Sequence, residues 1–339
     1  MNSTFINVMN RLQPEALEQV LRDLSSLMRE KVPHEVISFD GQTARGTANR
    51  RTNKAGIHLV SAWSSENGVC LGQNKVDDKS NEITALPELM EMLDLKGTIV
   101  TTDALNTQKN TASKVVDLGG DYLLPVKGNQ PTLLQEITEA FEVVDSERSI
   151  AQAQWKRAMQ KAQEQHDSTR LKQLLSGPST CGAFFYEEEV NKSHGRIETR
   201  SDMTIQATIS SKEEWKNLSS LTRVDRKRII GDKEEHEIIY YISSLPASDV
   251  QMIGKAIRQH WGVENGLHWR LDVVFKQDKS RYRNRMGARN LATIRKVGLN
   301  TLSKEASLKG GIATKQCAAA CNLAYRDKIL KTRLSVTSA

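Results

Sequence analysis

The pattern of apolar and polar positions changes period several times along the chain. Residues 14–31 repeat apolar side chains at helical spacing, beginning at Pro14 and Glu15. Shorter apolar runs follow at 35–41, 56–65 and 69–76, and the Asn67-Gly68 pair between the last two predicts a hairpin. Helix and strand patterns then alternate as far as residue 144. This order predicts an α/β fold in which a mixed sheet carries helices on its faces.

The pattern changes again after residue 144. Residues 145–180 are polar and predict an exposed helix, whereas residues 181–245 alternate as strands with a turn at Gly231-Asp232. The last third is helical. The predicted organisation is an N-terminal helical remnant at 1–34, a first core part at 35–144, a helical and β-rich insertion at 145–245, C-terminal core helices at 246–303, and a basic tail at 304–339.

One stripe in the last third mixes apolar and polar side chains. Between Lys255 and Phe275, steps of four and three residues predict the buried face of a single helix. Its members are Ile257, Trp261, Glu264, His268, Leu271 and Phe275. A lone buried carboxylate is costly, so Glu264 is expected to face a cation or a histidine.

Charge is unevenly distributed along the chain. The 339 residues carry a net charge of +7. From Val250 onward there are 18 Lys and Arg against 5 Asp and Glu, a balance of +13, so the preceding 249 residues sum to −6. A basic segment of this kind indicates a polyanionic partner, most simply nucleic acid, although a solvated helix face is the ordinary alternative.

Two aspartates follow predicted strands of the first sheet. Asp40 and Asp103 each end an apolar run, and strand ends are common places for active groups. With Glu264 they form three carboxylates that could hold two Mg²⁺ ions. Taken singly, each has another possible role: Asp40 as a turn residue, Asp103 as a helix cap, and Glu264 as a partner of His260 or His268.

A zinc site built on His260, Glu264 and His268 is not expected. On a straight helix the two histidines lie ~12 Å apart, whereas a zinc ligand lies about 2 Å from the metal. We interpret both histidines as contacts to DNA phosphate or as residues that orient Glu264. The four cysteines complete no zinc site and predict reduced thiols. The sequence contains no run near the ~20 apolar residues of a membrane span and no signal-peptide run, so no membrane partner is expected.

Five motifs carry a resemblance to a known family. They are DGQTARG at 40–46, TTDALNTQK at 101–109, GDYLLPVKGNQ at 120–130, HGRIETR at 194–200 and IRQHWGVENGLHWRLDVVFKQD at 257–278. In this order they resemble bacterial DDE insertion-sequence transposases of the ISAs type, which include the H-repeat-associated proteins of Rhs elements. The resemblance implies a ribonuclease-H-like α/β fold, with helices on both faces of a mixed sheet and a β-rich insertion before the last catalytic helix.

The resemblance also implies an activity. It assigns the catalytic and metal-binding triad to Asp40, Asp103 and Glu264, with two Mg²⁺ ions as cofactor and Mn²⁺ as a possible substitute. The implied reaction is DNA strand cleavage and strand transfer at the ends of an insertion sequence. The implied partners are double-stranded DNA, as element ends and as target, and a second copy of the chain in a homodimer on DNA. The expected location is the cytoplasm, in association with the nucleoid.

Further residues in and near the motifs are expected to contact DNA. They are Arg45, Lys127, Asn129, Gln130, Arg196, Arg200, His260, His268, Arg281, Arg283 and Arg285. A surface turn is the alternative for residues 127–130, and pairing on a strand surface is the alternative for Arg196 and Arg200. Trp261 and Trp269 are interpreted as core residues rather than as platforms for base stacking.

Two departures from the family pattern leave other functions open. Gln42 stands where the family usually has lysine. Members also usually begin with a further helical domain, of which residues 1–34 resemble the last part. The alternatives are a catalytically impaired DNA-binding relic, from a truncated reading frame, and a stand-alone metal-dependent nuclease that uses the same triad.

Overall fold

The computed structural model describes residues 3–49, 54–76, 81–174, 184–193 and 196–331. The chain forms two compact units. The first unit consists of Met1–Leu123 and Lys255–Ala339, and the second consists of Leu124–Gly254. Cys181 and the first two residues of the HGRIETR motif lie outside the described residues.

Five strands form a mixed sheet in the order β3-β2-β1-β4-β5, with the end of β5 in the second unit. Their bounds are β1 Val36–Ala44, β2 Ile57–Ser64, β3 Val69–Lys75, β4 Ile99–Thr101 and β5 Asp121–Val126. The first three strands are antiparallel neighbours, whereas β4 runs parallel to both β1 and β5. This arrangement is that of ribonuclease-H-like domains, and it confirms the predicted fold class.

The predicted hairpin joins β2 to β3. The amide of Gly68 donates to the carbonyl of Ser64 over 2.9 Å, and Gly68 has a φ of +64°, in the left-handed region that glycine tolerates best. Asn67, in the same turn, donates from Nδ2 to the carbonyl of Glu30 over 3.0 Å. The Asn-Gly signal therefore located this turn correctly.

Helices cover both faces of this sheet. β2 is buried at seven of its eight positions, as expected for a strand packed on two sides. The helices of the first unit and its boundaries are α1 Ser3–Arg11, α2 Pro14–Met28, α3 Glu82–Glu91, α4 Lys109–Asp117, α7 Val250–His260, α8 Trp269–Val273, α9 Arg285–Lys304, α10 Ile312–Cys321 and α11 Leu323–Lys331. Leu21 of α2, Trp63 of β2, Cys70 of β3 and Leu299 of α9 share one buried cluster. Among the described residues, none of the helices has the length and apolar character that a bilayer crossing requires.

A buried polar network joins α2, β3 and α9. Arg289 donates from Nη2 to Glu18 Oε2 over 2.6 Å, and Lys296 donates from Nζ to Gln73 Oε1 over 2.6 Å. Gln73 in turn donates to Glu18 Oε1 over 2.9 Å. Two cations of the basic last third are therefore occupied inside the fold, where buried charges need such partners.

Asp40 does not end its strand. β1 continues for four residues beyond it, to Ala44, and Asp40 pairs with Ser61 of β2. The interpretation of the Asp-Gly pair as a turn is therefore wrong. Asp103 does lie beyond its strand, since β4 ends at Thr101. Asp40 therefore comes from the interior of β1, and Asp103 comes from the loop after β4.

The predicted buried helix face from residue 255 to residue 275 is only partly correct, because Ile257, His268 and Leu271 are buried whereas Trp261 and Glu264 are exposed. α7 ends at His260, and a π-helical turn over Glu264–His268 precedes α8. The amide of Trp269 donates to the carbonyl of Glu264, five residues earlier, which changes the phase of every later side chain. Trp261 and Trp269 are 54% and 55% exposed, so their interpretation as core residues is wrong as well.

The second unit contains the β-rich insertion. Its elements are α5 Pro131–Glu164, α6 Ser168–Leu174, β6 Phe184–Ser193, β7 Arg196–Gln206, β8 Ser220–Ile230 and β9 Lys233–Ser243. The four strands pair in sequence as an antiparallel meander. Gly231 makes the turn between β8 and β9 with a φ of +57°. α5 begins at the predicted proline and extends through residue 164, so one helix carries both apolar residues 133–141 and much of the polar region after 144.

Candidate active site

Asp40 and Glu264 meet at His268. His268 Nδ1 lies 3.3 Å from Asp40 Oδ2 and 3.4 Å from Glu264 Oε2. One ligand atom from each of the three residues lies within 4.8 Å of the other two. The Glu264 side chain is 59% exposed, contrary to the predicted burial, and it borders an open cleft that Asp40 and His268 also line. The three side chains are close enough to share one cation.

Asp103 lies beside this group without being part of it. Its Oδ1 accepts hydrogen bonds from the Asn106 amide over 3.1 Å and from Asn106 Nδ2 over 2.7 Å. Asp103 therefore caps the short 3₁₀ turn at 104–106, which is the helix-cap role left open by the sequence. Its negative charge nevertheless acts on Asp40. The structure thus places Asp40 and Glu264 in direct proximity and Asp103 within their electrostatic range.

Mutual repulsion marks the site as a place for cations. Burial, together with the charges of Asp103, Glu82 and Glu264, raises the pKa of Asp40 to about 7, although a hydrogen bond from Gly41 opposes this shift. Burial also raises the pKa of Asp103. Clustered carboxylates of this kind are the donors that hard divalent cations prefer, so the side chains present fit Mg²⁺ or Mn²⁺.

The two predicted histidines have partners inside the fold. Burial lowers the pKa of both His260 and His268 to about 4, so both are neutral at physiological pH. His260 Nδ1 lies 3.0 Å from Thr101 Oγ1. The His268 side chain is only 6% exposed and faces Asp40 and Glu264. This geometry favours the interpretation that His268 orients Glu264 over a contact with DNA phosphate.

Glu82 is a fourth carboxylate that sequence reasoning missed. It lies in the first turn of α3, where acidic residues are common for electrostatic reasons alone. Its Oε1 lies 2.5 Å from His58 Nε2, and its Oε2 accepts from Asn106 Nδ2 over 3.0 Å. The hydrogen bond from His58 lowers the pKa of Glu82 in spite of partial burial, so the group is charged at neutral pH. The only signal in the sequence was an acidic residue at the start of a predicted helix, between Asp40 and Asp103.

Gly41→Ala is expected to lower the free energy of unfolding by ~1–3 kcal/mol. A Cβ at position 41 would overlap Glu82 Oε1 and come within 2.7 Å of His58 Nε2. The measurement is urea denaturation of the purified chain. Gly128→Ala is the control, because a Cβ there would have no heavy atom of the described residues within 4 Å. Equal stability of the two variants would contradict this packing.

A basic cleft adjoins the acidic one. Arg45, Lys279, Arg281 and Arg283 line a cleft of about 700 Å³. Arg45 and Asp278 line both clefts, and Arg45 Nε lies 3.9 Å from Asp278 Oδ2. The Arg45 side chain is 85% exposed. Three of the predicted DNA-binding residues of the first unit are therefore together, next to the carboxylates.

The remaining basic residue of this segment has a different environment. Arg285 begins α9 and is only partly exposed. Between the arginines, Tyr282 is buried and donates from its hydroxyl to Asn10 Oδ1 over 2.8 Å. The aromatic ring thus anchors the segment to α1 and leaves the neighbouring arginines on the surface.

Five predicted DNA contacts belong to the second unit. Lys127 and Asn129 are exposed in the turn after β5, and the amide of Gln130 donates to the carbonyl of Lys127 over 2.9 Å. Residues 127–130 therefore form a surface turn, which is the alternative that the sequence left open for them.

The two arginines of the second unit lie on β7. Arg200 is buried and donates from Nε to Asp202 Oδ1 over 2.9 Å. Arg196 is more exposed, and its Nε lies 3.7 Å from Glu198 Oε2. Arg200 is therefore paired with Asp202 in a buried position, which does not favour a DNA contact.

A ribonuclease-H-like sheet with clustered carboxylates beside a basic cleft defines a class of nucleic-acid enzymes that use divalent cations. Residues 31–301 match the family model described as the Transposase DDE domain. The chain belongs to this family.

Curated relatives agree with the family. The chain is 36% identical over 335 residues to YncI of Escherichia coli O157:H7, named as a candidate transposase, with 97% of this chain and 77% of that protein covered. It is 35% identical over 303 residues to YhhI of Escherichia coli K12, named as an H repeat-associated candidate transposase, with coverage of 87% and 71%. Among solved structures, the synaptic complex of piggyBac transposase with hairpin DNA has a TM-score of 0.40 and 10% identity, covering 93% of this chain and 57% of that one.

Proposed function

We propose that this chain is a metal-dependent DNA transposase that cleaves strands at the ends of an insertion sequence and joins them to target DNA. The observation that carries the proposal is the approach of Asp40, Glu264 and His268 to within 4.8 Å, in a chain of the DDE family. The charge of Asp103 acts on the same place. The substrate is double-stranded DNA, as element end and as target.

Asp40, Asp103 and Glu264 are the proposed ligands of two Mg²⁺ ions, and neutral His268 is within reach of the same position. When bound, such ions supply an activated oxygen nucleophile and stabilise the leaving oxygen. Because imidazole is a softer donor than carboxylate, His268 should make Mn²⁺ an effective substitute for Mg²⁺.

The protein's own contribution is to hold the carboxylates in place before DNA arrives. The amide of Gly41 donates to Asp40 Oδ1 over 2.9 Å, within the regular pairing of β1. Asn106 holds Asp103 through two donors. Glu264 extends further into solvent than Asp40, with a side chain that is 59% exposed against 23%. Rigid placement of charged groups of this kind lowers the reorganisation needed during reaction.

The basic cleft is the proposed path of the DNA strand. Arg45, Arg281 and Arg283 can contact phosphates next to the scissile position, because their cleft shares a wall with the acidic one. Phosphate contacts position DNA without reading its sequence. DNA affinity is therefore expected to fall steeply with salt concentration.

A specific contact favours a second candidate function, the impaired relic. Gln42 donates from Nε2 to Asp272 Oδ2 over 2.8 Å at the wall of the acidic cleft. A neutral amide leaves the charge of Asp272 in place, whereas a lysine there would offset it. An uncompensated carboxylate beside the DNA path would weaken substrate binding.

The decisive experiment uses the DNA that flanks the gene as substrate. End-labelled duplexes carrying the element ends are incubated with the full chain and Mg²⁺ or Mn²⁺, with EDTA as control, and a plasmid is supplied as target. We expect cation-dependent nicks at the element ends and joined products, on a complex whose mass by light scattering corresponds to two copies.

Other outcomes separate the alternatives. Binding without cleavage would indicate the relic, and cleavage without joining would indicate a nuclease. Cleavage that persists in EDTA would contradict the proposed cation site.

A further inference from the structure

A continuous hydrogen-bonded chain links β1 to Asp103. Thr43 Oγ1 lies 2.7 Å from His58 Nδ1, and His58 Nε2 lies 2.5 Å from Glu82 Oε1. Glu82 Oε2 then accepts from Asn106 Nδ2, which also donates to Asp103 Oδ1. Every member belongs to the first unit. Glu82 is the centre of this chain, since each of its oxygens has a different partner.

The buried amide of Asn106 can adopt only one orientation here. Asn106 is fully buried, and its Nδ2 faces two carboxylates at 3.0 and 2.7 Å. If the amide were rotated by half a turn, Oδ1 would face both negative charges without a proton between them. Glu82 and Asp103 therefore fix Asn106 jointly, and Asn106 fixes the direction of each carboxylate in return.

Glu82 also lies against the strand that carries Asp40. Only a glycine at position 41 leaves room for Glu82 Oε1 and His58 Nε2 directly beside the backbone of β1. The charge of Glu82 acts on Asp40 as well as on Asp103. A helix-capping acid would need neither of these contacts.

We propose that Glu82 is a positioning residue of the active site. It holds Asp103 through Asn106, and its charge adds to the negative potential that draws cations to Asp40. This inference rests on the proposed function, because it assigns Glu82 a part in the same cation site. The competing explanation is purely structural, with Glu82 serving to join α3 to His58.

Glu82→Gln separates charge from shape. A glutamine can accept from Asn106 Nδ2 through its oxygen and donate to His58 Nε2 through its nitrogen, if His58 takes the tautomer that donates from Nδ1 to Thr43. Both hydrogen bonds then survive, and only the charge is lost. Asn106→Ala does the opposite, because it retains the charge of Glu82 and removes the link to Asp103.

The test is Mn²⁺ binding to the full chain without DNA, measured by calorimetry. We expect each of the two variants to weaken Mn²⁺ affinity ~10–100-fold, the usual effect of removing a residue that supports metal ligands. Glu88→Gln is the matched control on α3, because Glu88 is exposed and pairs with Asn74. Without cation, Glu82→Gln should melt slightly below the wild type, because the lowered pKa of Glu82 means that the fold stabilises its charge, so the Mn²⁺ affinity is the deciding measurement.

The outcomes distinguish this inference from the proposed function. Absence of Mn²⁺ binding by the wild type would overturn both. Binding that Asp40→Asn abolishes, but that Glu82→Gln and Asn106→Ala leave unchanged, would overturn only the role of Glu82. A lower melting temperature of Glu82→Gln with wild-type Mn²⁺ affinity would establish the structural explanation instead. If one variant fails to fold, Glu82→Asp, which keeps the charge but shortens the reach to Asn106, takes its place under the same expectation of weaker affinity.

Discussion

Asp40→Asn is expected to lower the rate of DNA cleavage by ~10³-fold or more, equivalent to ~4 kcal/mol of activation free energy. Asparagine keeps the shape of the side chain but removes the charge that attracts a divalent cation. DNA affinity should change little, because Asp40 is not among the residues that line the basic cleft. Single-turnover cleavage and gel-shift titration of the same variant measure the two quantities independently.

The same substitution has a predicted effect on stability that depends on pH. The pKa of Asp40 is raised from 3.8 to about 7. Between these values the folded chain holds a proton that the unfolded chain has lost, so the free energy of unfolding falls as pH rises through this window. Above pH 7 the folded chain carries the full free-energy cost of an ionised Asp40. Asp40→Asn removes up to ~4 kcal/mol of this cost.

Thermal denaturation in EDTA at two pH values tests the direction of this stability change. The variant should melt above the wild type at pH 8 and close to it at pH 4. Asp117→Asn is the control, because Asp117 is exposed at the end of α4. A variant that melts below the wild type at pH 8 would show that Asp40 stabilises the fold, contrary to its place among like charges.

Glu264→Gln distinguishes the two roles that the sequence left open for this residue. Its side chain is largely exposed and its neighbour His268 is neutral, so the loss of charge should change stability little. Cleavage should still fall by orders of magnitude if Glu264 is a cation ligand. A clear loss of stability with cleavage retained would instead identify Glu264 as a structural partner of His268.

Simultaneous replacement of Arg45, Arg281 and Arg283 by glutamine is expected to weaken DNA binding ~10²–10³-fold near 0.1 M salt. Each lost phosphate contact should also reduce the slope of log affinity against log salt by about 0.9, or about 2.7 for the three together. Fluorescence anisotropy with a labelled duplex at several salt concentrations measures both effects.

The matched control replaces three cations outside the cleft. Arg326, Lys328 and Lys331 of α11 are exposed and do not line it. If replacing these three residues weakens DNA binding as much as replacing the three cleft residues, DNA affinity is spread over the whole basic surface. If neither triple changes the salt slope, the proposed DNA path is incorrect.

Local signals predicted most of the fold. The Asn-Gly pair gave the hairpin, prolines gave the starts of α2 and α5, and the alternation of periods gave the mixed sheet. The π turn after residue 255 was not predicted, because side-chain spacing does not reveal which amide bonds to which carbonyl. It changes the phase between the residues before it and those after it, so Trp261 and Glu264 are exposed whereas His268 and Leu271 are buried.

Long-range contacts explain what the sequence did not reveal about the site. Asp40-Gly41 resembles a turn in isolation, and only the approach of Glu82 and His58 explains the glycine within a strand. Charge counts have the same weakness. Arg289 and Lys296 contribute to the basic total after Val250, yet both are paired inside the fold.

The π turn makes this part of the site sensitive to chain length as well as to side-chain chemistry. Asn265 is exposed within the turn, so substitution there alters little beyond the surface. Its deletion would return the backbone to i→i+4 pairing and leave the later residues in their present phase, because a π turn holds one residue more than an α-helical turn. Insertion of one further residue would instead rotate His268 by ~100° about the helix axis, away from Asp40, although neither residue had changed. A single-codon insertion can therefore be more damaging here than a deletion or most missense changes.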